Sequence, residues 1–132
     1  MTDILQRIEQ GTAKLNALTD TAAAVIREVE AVLPACADCW VTIPGSNLCL
    51  GYARHGGRGR VVVAEKVGGG VGLGIIKPWA ECAQGQKLGS FEALPKLIDT
   101  VGERLASLVM TARDVVQQTR EFLDRQTDEE PN

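Results

Sequence analysis

TDILQRIEQGTAKLNALTDTAAAVIREVEAVL occupies residues 2–33, and its spacing decides the fold. Ile4, Ile8, Gly11, Leu15, Leu18, Ala22, Val25, Val29 and Val32 recur at alternating intervals of four and three. That rhythm returns each side chain to one helix face and makes an unbroken heptad seam. Asp3 and Gln6 have capping-box spacing at its start. Pro34 stops it, because proline lacks the N–H that another helical turn needs. Residues 1–33 are therefore read as one long helix.

The same rhythm returns at the other end of the chain in Phe91, Leu94, Ile98, Val101, Leu105, Leu108, Ala112, Val115, Thr119 and Phe122. A second long helix is expected over 90–125. Ser90 suits an N-cap, but Pro95 interrupts a helix begun there, so a short turn with the main helix starting near Pro95 is expected. Residues 126–132 read as a frayed acidic tail.

Between the flanks the composition changes. Of the chain's 14 glycines, 12 lie between residues 34 and 90, where six basic side chains meet three acidic ones; both flanks are acidic. Within 34–89, CWVTI (39–43), LCLGYAR (48–54), RVVVAEK (60–66) and LGIIK (73–77) read as strands separated by the turn sequences PGSN, HGGRG and VGGGVG. These connections are too short for parallel crossovers, so the strands form a four-stranded antiparallel meander. Leu48, Leu50 and Tyr52 make a large-residue face and Cys49, Gly51 and Ala53 a small-residue one. The fold class is α+β: helix, antiparallel meander, helix, in a single domain over 1–132.

Thirty residues of helix run about 45 Å, while a strand of five or six spans roughly 17–20 Å. The helices outrun the sheet. Placed antiparallel they make a two-helix stalk, and Leu5, Ile26, Leu33, Leu97, Val109, Val116 and Leu123 widen each stripe beyond what one neighbour covers. A homo-oligomer, with a dimer favoured, is expected through Leu15, Leu18, Val25, Val29, Leu105, Leu108, Val109 and Val116, in a coiled-coil or four-helix arrangement.

Four cysteines carry the metal question. Cys36 and Cys39 have C-x-x-C spacing in CADC, but Cys49 and Cys82 stand alone at intervals typical of no zinc ribbon or finger. Small, reduced, buried thiols are the preferred reading, and no metal or cofactor is expected. The run GGGVGLG (68–74) lacks the following helix a phosphate loop needs.

Arg54, His55, Arg58 and Arg60 concentrate positive charge at the second hairpin tip. This is the expected binding surface, with Arg58 and Arg60 dispensable for stability. A protein partner is preferred and nucleic acid is the alternative; the chain as a whole is acidic, with net charge -3, and no aromatic platform adjoins the tip. The only histidine is His55 in that glycine-rich tip, and no nucleophile and base occur at a recognised spacing. A non-enzymatic interaction module, acting as an adaptor, accessory subunit or inhibitor, is thus expected, with a small-ligand binder as a further alternative. The N-terminus resembles no leader and no apolar run is long enough to span a bilayer, so no membrane association and a cytoplasmic location are expected.

Overall fold

The computed structural model of the protein describes residues 2–34, 38–70 and 72–129. The chain runs α1 (Thr2–Val32), β1 (Cys39–Thr42), β2 (Leu48–His55), β3 (Arg58–Val67), β4 (Gly72–Leu73), β5 (Lys77–Pro78), α2 (Gln84–Phe91) and α3 (Leu94–Glu129). Two long helices therefore bracket an antiparallel sheet, as the two heptad runs and the glycine-rich middle require.

The sheet is ordered β1-β2-β3-β4, with β5 pairing further along β3. Register aligns Cys39 with Tyr52, Leu50 with Val63 and Tyr52 with Val61. The β2–β3 turn is Gly56-Gly57, at φ 63° and 85°. A two-residue hairpin needs such left-handed backbone to match the strand twist, and only glycine adopts it without steric cost. The expected fourth strand, residues 73–77, is divided: Leu73 ends β4, Lys77 begins β5, and Gly74–Ile76 carry no ladder. The Gly74 amide donates to Glu65 O at 2.7 Å, fixing where the segment leaves the sheet.

Both faces of the sheet are buried, for different reasons. On the large face Leu50, Tyr52, Val61 and Val63 pack with Ala22 and Ile26 of α1, Leu94, Leu97 and Val101 of α3, and Trp79. On the small face Trp40 lies over Gly51, where a Cβ would sit 2.4 Å from the indole Cε3. Glycine at 51 is required by that close approach. Trp79 is fully enclosed; its indole N–H donates to Lys87 O at 3.1 Å, and the Phe91 ring lies 6.2 Å away, tilted by 53°.

Those contacts explain α2, a helix absent from the sequence reading. Two glycines at 85 and 89 weaken its intrinsic preference, but Trp79 anchors its last turn and Gln84 donates to Thr19 and Asn16 of α1, each at 3.0 Å. Ser90 is not an N-cap. It closes α2, donating its hydroxyl to Gln86 O at 2.6 Å. Pro95 falls in the first turn of α3, where its missing N–H costs nothing. Asp3 likewise sits inside the first turn of α1 rather than capping it, and α3 continues to Glu129, through part of the expected tail. Residues 130–132 lie outside the described residues.

The heptad seam of α1 and the face that meets the sheet are not the same line. The seam predicts Ala22, Val25, Val29 and Val32 inside; Thr19, Ala22 and Ile26 are the residues buried, and Val32 is 80% exposed. A straight helix turns every 3.6 residues, so its contact line drifts about 20° per heptad from a 3.5-residue seam.

Candidate interaction surfaces

At 3.6 residues per turn Ile4, Ile8 and Leu15 stand on the line of Ala22, Ile26 and Leu33, and Leu105, Leu108, Ala112, Val115 and Thr119 continue the line of Leu94, Leu97 and Val101. Each helix thus has one straight apolar stripe seated on the sheet at one end only. Residues 2–18 of α1 are all exposed, and between 102 and 127 of α3 only Leu108 is even half-buried. Leu18 is 62% exposed and Met110 66%. The stripes do not cover each other, so the expected stalk is not closed within one chain.

Of the expected interface residues, Leu15, Leu18, Leu105, Val109 and Val116 are exposed, Leu108 is half-buried, and Val25 and Val29 pack partly on the chain's own core. Sequence spacing missed a junction between the helices. Val29 and Val32 of α1, Leu33 just beyond it and Ile98 of α3 line, together with Glu28, a shallow groove of about 250 Å³ whose surface is apolar. Val29, Val32 and Ile98 are seam positions and Leu33 one of the residues that widen the stripe, so the spacing marked them as apolar without showing that they meet.

The basic hairpin divides on folding. Register sets His55 opposite Arg58, Arg54 opposite Gly59 and Arg60 opposite Ala53, so Arg54 projects from the other face of the hairpin from His55, Arg58 and Arg60. Arg54 and Arg58 are exposed and His55 is half-buried. Arg60 is not a free cation. Its Nε lies 3.5 Å from Glu30 Oε2, close enough for the charges to pair but outside hydrogen-bond geometry. Glu30 Oε2 also accepts the Val61 amide at 3.0 Å. One carboxylate from α1 therefore caps an outward N–H of β3 and neutralises the neighbouring guanidinium, which blunts an open sheet edge. Arg60 is therefore expected to matter more for stability than Arg58, which is exposed.

The cysteines are separated by the sheet. Cys39 is opposite Tyr52, on the helix-facing side, whereas Cys49 is opposite Thr42 on the other side. Two thiols on opposite faces cannot share a tetrahedral metal. Cys36 lies outside the described residues. Among the described residues no group of three or more His, Cys, Asp and Glu side chains converges as a metal site. Burial pushes the Cys82 thiol above its ordinary value of 9.0, outweighing Lys77 and Lys87, and its Sγ–H donates to Pro78 O at 3.5 Å. Burial likewise raises Cys39, helped by Asp38 and opposed by Arg104. Protonated thiols are weak nucleophiles and weak ligands.

Two further concavities lie beside the sheet. A hollow of about 360 Å³ beside Cys82 carries Glu65 and Lys77, whose charges offset. A cleft of about 320 Å³ lies between α1 and the turn end of the β2–β3 hairpin and is lined by Arg27 and Arg58. Among the described residues no helix is long and apolar enough to cross a membrane. No protein family, curated protein or solved structure matches the chain.

Proposed function

We propose that the protein is a non-enzymatic module that self-associates through the bare stripes of α1 and α3 and holds the β2–β3 hairpin out to a protein partner. The observation that carries this reading is the exposure of a regular apolar stripe along residues 2–18 and 102–127. A helix draws most of its stability in water from a packed apolar face, and exposed apolar patches of this extent mark association surfaces. Each Leu covered by a partner contributes roughly 1.5–3 kcal/mol. A second copy offers matching stripes of the same length and period, so two or more chains satisfy each other without a foreign helix.

The hairpin is suited to presentation, because its two-glycine turn and paired strands fix its direction while Arg54 and Arg58 stay exposed. The pairing of Arg60 with Glu30 weakens the nucleic-acid alternative by removing one of few cations from that surface. The reading assigns no catalytic residue and no cofactor, and places the protein in a reducing compartment, the cytoplasm.

Multi-angle light scattering of the full chain tests self-association. A mass that is a multiple of 14.1 kDa and falls on dilution is expected. A constant 14.1 kDa at every concentration overturns the reading.

A further inference from the structure

We infer that the cleft between α1 and the turn end of the β2–β3 hairpin binds an oxyanion, a carboxylate or phosphate group carried on a small apolar body. The inference is independent of self-association. It begins from charge. Arg27 reaches the cleft from α1 and Arg58 from β3, and the one carboxylate there, Glu30, is already committed to the Val61 amide and the Arg60 guanidinium. Neither Arg27 nor Arg58 has a hydrogen bond or ion pair within the described residues. Behind them Arg60 Nε is buried without an acceptor. Two guanidiniums therefore line a single hollow with one carboxylate that a third, Arg60, already neutralises, which leaves a positive excess that an incoming anion relieves.

The geometry of arginine decides the ligand class. A guanidinium offers parallel N–H donors that match the two oxygens of a carboxylate or the edge of a phosphate, and such charge-assisted pairs are the strongest hydrogen bonds open to a surface cleft. Two forks from separate, rigid elements fix an oxyanion more firmly than two on one flexible loop. The rest of the wall is apolar or uncharged. Leu33 and the Tyr52 ring line it, and the Tyr52 hydroxyl gives its proton to Leu33 O at 2.7 Å, so the ring acts as a wall. Gly59 has no side chain to fill the space. About 320 Å³ accommodates the anionic group and a body of several carbon atoms.

The test uses the full chain, with inorganic phosphate and acetate as probes, each titrated against chloride at constant ionic strength while the amide resonances of Gly59 and Val61 are followed by NMR. Saturable shifts confined to the cleft are expected with at least one probe. Saturation by phosphate alone assigns a phosphate group, by acetate alone a carboxylate; saturation by both supports the common oxyanion site. Arg27→Gln and Arg58→Gln are each expected to weaken binding fivefold or more. Arg120→Gln, on the distant arm of α3, is expected to leave it unchanged. Arg27→Lys keeps the charge but loses the fork, so it separates bidentate binding from a general charge effect: it too weakens binding, without disturbing the core resonances. Shifts that match chloride, fail to saturate, or persist undiminished in both glutamine variants overturn the proposal. Light scattering on the same samples records the assembly, so failure of self-association and failure of anion binding are read separately.

Discussion

Within each long helix one apolar stripe meets two fates. Leu94, Leu97 and Val101 of α3 are buried on the sheet, and the same line then runs bare through Leu105, Ala112 and Val115. In α1 the order is reversed, bare from Ile4 to Leu15 and covered from Thr19 onward. The pattern alone does not say which part has a partner. Periodicity marks a face that must be covered, and only the length of the sheet determines how much of it the chain covers itself.

The largest expected effect sharpens that contrast. Leu97→Ala removes a fully buried side chain from the head and is expected to cost about 2–5 kcal/mol in urea denaturation. Val116→Ala, on the bare stripe, should change the stability of the dissociated chain by less than about 0.5 kcal/mol, as for other surface positions, while weakening the assembly. Equal losses at the two sites in dilute, dissociated protein would break the distinction between head and arm.

The next comparison lies between two arginines two residues apart. Arg60→Ala leaves the Glu30 carboxylate half-buried without its cation and is expected to cost about 1–3 kcal/mol. Arg58→Ala, at an exposed position, should cost under about 1 kcal/mol. Thermal denaturation of the two variants measures the difference, and equal effects would remove the structural role of the pair.

A smaller effect separates the two sides of pH 9. The folded-state pKa of Cys82 is raised above 9.0, so the native state holds the thiol proton after the unfolded chain has lost it. The resulting stability is complete below pH 9 and declines as pH rises through the folded-state value. Melting temperatures under reducing conditions should therefore fall more steeply above pH 9 for the wild type than for Cys82→Ala. Parallel curves would show that this thiol does not contribute.

Most of the architecture was legible because periodicity and turn chemistry are local. The two heptad runs, the strands around PGSN and HGGRG, and the late start of α3 at Leu94, just ahead of Pro95, follow from neighbours a few residues apart. The parts that were not legible depend on distant contacts. α2 forms because Trp79 and α1 hold a glycine-containing segment, and the fourth strand splits because the Gly74 amide turns to Glu65 O. At the surface, the basic tip was visible as a cluster. Its division was not, because Glu30 lies 30 residues away in sequence from Arg60 yet meets it in space. Arg27 was hidden for the same reason: nothing local marks one arginine of α1 as the partner of one in β3.

The central claim is that a second copy covers the arms, and amide hydrogen exchange measured across a range of protein concentrations tests it most directly. An uncovered helix opens readily, since little but its own hydrogen bonds holds it. Protection of residues 105–123 and 4–18 is therefore expected to rise with concentration, while Leu50, Val62 and Leu97 in the head stay protected throughout. Leu105→Asp should abolish the rise in the arms and leave the head unaltered, because position 105 lies outside the buried core. Arm amides that exchange at one rate from dilute to concentrated protein, in wild type and variant alike, would contradict the account.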